Sequence, residues 1–175
     1  MDQNTDQNFK AGDMVVYPVH GVGEIQTIEK QQIGGLDIEL IVIHLEKEKL
    51  RLSIPRAKAI SAGLRHLSND DTINKAIEFL KTNPRSMRMQ WNRQVQAFEE
   101  KLHSGNPLSI AEVVRDLYFP DHQLERSYAR KELYDNAMDR LAEEIAAVRK
   151  DDVRTVIQSL SEVLKKSSLD RDQKS

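Results

Sequence analysis

The chain has no cysteine, which excludes a disulfide framework, a zinc–thiolate site and a cysteine nucleophile, and suits a reducing compartment. It has no apolar run of the length a membrane span needs, and its first ten residues, MDQNTDQNFK, lack the apolar core of a secretory signal. A cytoplasmic protein with no membrane partner is expected. Excess charge is missing as well: 26 basic side chains face 28 acidic ones, a formal net charge of −2. That balance excludes non-specific coating of nucleic acid, which draws nearly all its affinity from summed Lys and Arg contacts. The five histidines, at positions 20, 44, 66, 103 and 122, form none of the close pairs that metal sites use, and the carboxylates are spread over polar helix faces. Gly21-Val22-Gly23 falls between two strand patterns rather than ahead of a helix, so it reads as a turn and not as a phosphate cradle. No catalytic residue, metal site or cofactor is expected.

What is present divides in two. With 175 residues, 39% hydrophobic and 31% charged, the chain has room for one medium domain or two small ones, and two are expected. Before about Ile60 the pattern is that of strands: Met14–Tyr17, Glu24–Ile28, Ile38–Leu45 and Lys49–Ile54. In the last, Leu50, Leu52 and Ile54 alternate with Lys49, Arg51 and Ser53, the period of two that buries one sheet face. Pro18 with Gly21 and Gly23, then Gly34-Gly35, then Glu46-Lys47-Glu48 separate the runs. Such strands in so few residues predict a small, strongly bent antiparallel sheet of the Tudor or SH3-like kind over residues 1–65.

After Ala62-Gly63 the period becomes helical, and residues 66–175 are expected to form an all-α domain of about five helices, making the whole chain α+β. Ser68-Asn69-Asp70-Asp71 and Ser109-Ile110-Ala111-Glu112 read as capping boxes. Ile73, Ala76, Ile77 and Leu80 form one apolar stripe. A second helix is predicted over Met89–His103 and ended by Gly105. A third, carrying Val113, Val114, Leu117 and Tyr118, stops before Pro120. Two more are predicted, over Ser127–Arg149 with Leu141, Ile145 and Val148 facing a core, and over Asp152–Lys166 with Val153, Val156, Ile157, Leu160 and Leu164. Residues 170–175 are expected to fray.

One stretch concentrates positive charge. Between Lys81 and Gln96 stand Lys81, Arg85, Arg88 and Arg93 without an acidic residue, and among them Trp91, the only tryptophan. A basic island around one large flat apolar side chain suits approach to a phosphate backbone and a wedge against base pairs. Arg85, Arg88, Trp91, Asn92 and Arg93 are therefore candidate DNA contacts. On helical spacing alone Trp91 also joins Val95, Phe98 and Leu102 on an apolar stripe, a core position. A second basic point, Arg126, Arg130 and Lys131, opens the Ser127–Arg149 helix; the alternative there is a solvated face laced with charge pairs such as Arg140 with Glu143 and Glu144. Arg115-Asp116 reads as structural.

Phe9-Lys10-Ala11-Gly12-Asp13-Met14-Val15-Val16-Tyr17-Pro18-Val19-His20-Gly21-Val22-Gly23 resembles the opening of the CarD/CdnL family of bacterial RNA polymerase-binding transcription regulators. The resemblance recurs in Ser53-Ile54-Pro55, in Trp91-Asn92-Arg93, in Glu100-Lys101-Leu102-His103-Ser104-Gly105, and in Ile110-Ala111-Glu112-Val113-Val114-Arg115-Asp116-Leu117-Tyr118. It covers roughly residues 9–150 in one order and spacing. It implies a Tudor-like domain that binds the polymerase β subunit and a helical domain that touches the minor groove of promoter DNA at the upstream fork of the melted bubble. It also implies that Trp91 is the wedge and that the protein stabilises the open complex, in association with the nucleoid through polymerase.

For the sheet domain, nine acidic and eight basic residues up to Arg65 suit a protein partner better than a polyanion. An exposed edge strand there offers main-chain pairing. Lys49, Arg51 and Arg56 are the candidate polymerase contacts, together with Gln31 and Ser53, which are neutral here where the family is often basic. Each of these also fits the solvated face of a half-buried strand. A monomer is expected. The alternative function is a protein-only adaptor that docks on a nucleic-acid machine without touching DNA. Ionic strength separates the two, since DNA binding weakens by about 0.9 in log–log slope per phosphate contacted.

Overall fold

The computed structural model of the chain describes residues 8–86, 88–120 and 127–173. The chain divides into two compact units between Leu67 and Ser68. The first is a five-stranded antiparallel sheet of order β4-β3-β2-β1-β5, built from β1 (Met14–Tyr17), β2 (Gly21–Ile33), β3 (Leu36–Leu45), β4 (Leu50–Pro55) and β5 (Arg65–His66). A one-turn helix, α1 (Arg56–Ala59), lies between the last two strands. The second unit is all helix: α2 (Asp70–Leu80), α3 (Trp91–His103), α4 (Pro107–Leu117), α5 (Tyr128–Arg149) and α6 (Val153–Asp172). The α+β architecture expected from periodicity is thus the observed one.

Alternation fixes the sheet's inner face. Ile41, Ile43 and Leu45 of β3 pair in register with Ile54, Leu52 and Leu50 of β4, and they close with Val15, Ile25, Phe9, Ala59 and Leu64 into one buried cluster. A register shift between Ile25 and Thr27 is a β-bulge in the long β2–β3 ladder, a device that bends a sheet and sharpens its twist. Gly34 and Gly35 take φ of +59° and +80°, as a two-residue hairpin turn with both central residues at positive φ demands.

The strand pattern needed correction at its ends. Gly21 and Gly23 lie inside β2, opposite Tyr17 and Val15 of β1, because Pro18, Val19 and His20 suffice for the reversal, with the His20 amide donating to the Tyr17 carbonyl at 2.9 Å. Gly23 marks a close approach instead of a turn: a Cβ there would stand 2.7 Å from Ile43 Cγ2 and 2.9 Å from Leu45 Cδ2. β2 also runs past the predicted Ile28 through Ile33, and β3 starts two residues before the predicted Ile38, at Leu36. That distal arm is polar and mostly exposed on both faces, so no alternation announces it. Neither α1 nor the two-residue β5 is announced either. β5 is held by pairing with β1 and by the His66 ring lying 5.0 Å from that of Phe9.

In the helical unit α4 is the innermost element, with Ile110, Ala111, Val113, Val114, Arg115 and Leu117 all buried. Around it Ile73, Ala76, Leu80, Phe98, Leu102, Leu141, Ile145, Val156, Leu160 and Leu164 complete a single core. The two capping boxes are displaced. Asn69, not Ser68, caps α2 by accepting from the Thr72 amide at 2.8 Å. Ser68 is taken by Glu144, whose Oε1 accepts from the Ser68 amide at 3.0 Å and from its hydroxyl at 2.7 Å. Glu144 is therefore buried on α5 and not on a solvated face. The cap of α4 lies three residues before Ser109, at Asn106, with Pro107 in the first helical position, where its missing N–H costs nothing.

The last helix is longer than the predicted Asp152–Lys166. α6 continues through Asp172, because Ser167 donates to the Lys81 carbonyl at 2.9 Å and Arg171 to the Thr82 carbonyl at 3.1 Å, satisfying backbone acceptors at the end of α2. Residues 174 and 175 lie outside the described ones.

Candidate nucleic-acid interface

The basic island is hung on the helical core by two buried charges. Asp116, at the end of α4, has a side chain only 1% exposed, and Arg115 beside it only 4%. Asp116 Oδ1 accepts from Arg115 Nε at 2.7 Å and from the Arg85 amide at 3.0 Å. Arg115 Nη1 donates to Thr82 Oγ1 at 2.8 Å, and its guanidinium carbon lies 4.5 Å from the centre of the Phe79 ring. The segment leaving α2 is thus pinned at residues 82 and 85. Arg115-Asp116 acts as a bracket for the candidate site.

Beyond Arg85 the chain enters α3 with Gln90 at the cap position, whose side chain makes no capping hydrogen bond, and the first helical turn holds no acidic residue. The partial positive charge of that helix end is therefore not offset locally. Trp91 occupies the first helical position, half-buried against the core cluster. Arg88, Asn92 and Arg93 are exposed, and neither guanidinium has a hydrogen-bond or ion-pair partner among the described residues. Met89 adds an exposed apolar side chain beside them. Arg85 is directed differently: its guanidinium lies 3.8 Å from Glu112, which Lys101 also approaches at 3.0 Å. Met87 and Arg126 lie outside the described residues.

The two basic points predicted separately meet at one residue. Arg130 of α5 stands with its guanidinium carbon 5.1 Å from the Trp91 ring centre and 5.0 Å from that of Phe119. Lys131 is exposed on the next position. Phe119 is the participant that sequence reasoning missed. It follows the end of α4 without periodicity, so nothing local singles it out.

The candidate partner-binding residues of the sheet unit are not all on one surface. By the β-ladder register Arg51, Ser53 and Gln31 share the face opposite the buried cluster, with Arg51 Nη2 donating to Glu29 Oε1 at 3.0 Å across β3 and Gln31 close to the same carboxylate at 3.5 Å. Lys49 sits in the β3–β4 turn at φ +49°. Arg56, at the start of α1, turns instead to Glu39 at 3.4 Å and to Asn8 at 3.2 Å. β4, which carries Arg51 and Ser53, is an edge of the sheet.

No group of three or more His, Cys, Asp or Glu side chains able to hold a metal ion occurs among the described residues, and no described helix is long and apolar enough to cross a membrane.

Residues 75–161 match the family model for the CarD C-terminal domain, and residues 9–68 match that for the CarD-like/TRCF RID domain. The chain belongs to the CarD family. The order of the two CarD matches follows the division into sheet and helical units, and the family is one of transcription regulators. The putative transcription factor YdeB of Bacillus subtilis (strain 168) is 25% identical over 141 residues, spanning 81% of this chain and 92% of that protein. The solved N-terminal domain of Myxococcus xanthus CarD, 72 residues long, is 26% identical and covers 33% of this chain and 77% of its own, with a TM-score of 0.29.

Proposed function

We propose that this CarD family member holds the RNA polymerase β subunit through its sheet unit and prolongs the life of the open promoter complex through Trp91. The observation that carries the reading is a half-buried indole at the start of α3, flanked by two arginines, Arg88 and Arg93, whose guanidinium groups have no partner among the described residues. Wedging an apolar side chain at a base step costs a few kcal/mol of unstacking and succeeds best where the duplex is already distorted. The upstream fork of a transcription bubble is such a place. A wedge there opposes reclosure, while Arg88, Arg93, Arg85, Asn92 and Lys131 supply backbone contacts. Affinity for DNA is small in a chain of net charge −2, and tethering to polymerase raises the effective concentration in compensation.

The sheet unit suits the tether. β4 is an open edge carrying Arg51 and Ser53 with Lys49 at its start, so a strand of the partner can add to it through main-chain bonds, with side chains setting register. The match of residues 9–68 to the CarD-like/TRCF RID domain supports a polymerase partner. The protein acts as a monomer, in the cytoplasm, without catalysis of its own.

Open-complex lifetimes with Trp91→Ala test the proposal. The variant is expected to bind polymerase like the parent and to leave open complexes shorter-lived. Lifetimes equal to the parent's across several promoters, with the variant folded, would overturn it.

A further inference from the structure

We infer that Arg130 is the positioning residue of Trp91: a planar cation held between the Trp91 and Phe119 rings that fixes the indole before DNA arrives. The inference rests on the wedge reading, and it changes the role of Arg130 from a phosphate contact to a clamp. Three elements converge here: the first residue of α3, the segment after α4, and the first turn of α5. Ser127 caps α5 by accepting from the Arg130 amide at 3.4 Å, which sets the backbone from which the side chain extends.

Two observations on the described residues favour the rings over an anion as what places the guanidinium. Its carbon lies 5.1 Å and 5.0 Å from the two ring centres. Its Nε is buried with no hydrogen-bond partner, and no carboxylate pairs with it among the described residues. An arginine meant for a surface ion pair would not bury that donor. Each contact of a cation with a ring favours the held arrangement by about two- to fivefold at a partly exposed site. A guanidinium can lie flat on a ring, whereas an ammonium is a compact, strongly hydrated point charge.

Trp91 needs such help. At the first helical position it lacks a preceding turn to pack on, and its helix has no side-chain cap. Left alone, the indole would sample several rotamers and lose that freedom on insertion. Held in advance, it loses less, as any preorganised binding group does.

The only tryptophan of the chain is its own reporter. The full-length protein is compared with Arg130→Ala and Arg130→Lys by fluorescence anisotropy and by quenching with acrylamide, a neutral quencher whose access does not depend on local charge. Both variants are expected to lower the anisotropy and raise the quenching, with helix content at 222 nm unchanged. A lysine variant indistinguishable from the parent would mean that charge and not stacking is what matters, and overturns the clamp. So does an alanine variant with unmoved fluorescence. If the alanine variant loses helix content, the lysine variant alone decides.

Open complexes give the second arm. Both variants are expected to shorten their lifetime without altering its dependence on salt. A salt slope lowered by about one with alanine and restored with lysine is the mark of a phosphate contact and refutes the inference. If Trp91→Ala itself leaves lifetimes unchanged, the wedge reading fails, while the fluorescence of the Arg130 variants still judges the clamp.

Discussion

Asp116→Ala removes one half of a buried charge pair and leaves the other half behind. Arg115, 4% exposed, would keep among the described residues the Thr82 hydroxyl at 2.8 Å and the Phe79 ring. Stranding a buried charge in this way costs about 3–5 kcal/mol. For a helical unit of this size that is a fall in melting temperature of roughly 12–20 °C, followed by circular dichroism at 222 nm. Replacing both residues by apolar ones, Arg115→Met with Asp116→Leu, is expected to cost less than either single change, because no charge is then stranded. The amide of Arg85, which donates to Asp116 at 3.0 Å, should lose its protection from hydrogen exchange in Asp116→Ala while amides in the middle of α4 keep theirs below the melting transition. A single-variant cost under about 1 kcal/mol, or an Arg85 amide exchanging at the parent's rate, would refute the bracket.

Two further changes test the two cores separately. Glu144→Ala deletes the acceptor of both the Ser68 amide and its hydroxyl, and hydrogen bonds to a charged group contribute about 1.5–3 kcal/mol each; a loss of around 3 kcal/mol in urea unfolding is expected, and a neutral result would mean Ser68 finds another partner. Gly23→Ala places a methyl group 2.7 Å from Ile43 Cγ2 and 3.0 Å from the His44 carbonyl oxygen; overpacking of that sort costs about 1–3 kcal/mol, so the sheet unit of this variant should unfold at lower urea, and an unchanged midpoint would contradict the close packing of β2 on β3.

How much of this was legible in the sequence depended on whether one residue or one period carried the information. The stripes Ile73-Ala76-Leu80 and Val156-Leu160-Leu164 are buried as their spacing predicted, because an amphipathic helix states its inner face in every turn. Caps were harder. Ser68 and Ser109 each head a plausible capping box, yet Asn69 and Asn106 take the positions, since the choice among adjacent cap-forming residues is made by tertiary partners such as Glu144. The far end of β2, from Glu29 to Ile33, had no apolar alternation to show, and Gly23 looked like a turn because a glycine needed for closeness has the same letter as one needed for its backbone. At the candidate interface the basic island was visible as composition. Its geometry was not, because the Arg130–Phe119 contact and the Arg115–Thr82 bond join residues across helix ends where no period runs.

Trp91 stands at a position that faces the core and the surface at once. A fully exposed indole would reach DNA but would lose considerable side-chain freedom when ordered there. A fully buried one would be rigid and could not reach. At the first residue of α3 the ring is half-buried, resting on the core cluster with one side while Arg130 lies over it. Truncation should therefore cost some stability, about 1–2 kcal/mol, below the roughly 3–5 kcal/mol of removing a wholly buried aromatic such as Phe98. That intermediate cost is a consequence of the wedge reading rather than an objection to it, because a side chain that must press on a base step needs something firm behind it. A cost for Trp91→Ala as large as that for Phe98→Ala in the same urea titration would place the indole in the core and leave nothing to reach the DNA.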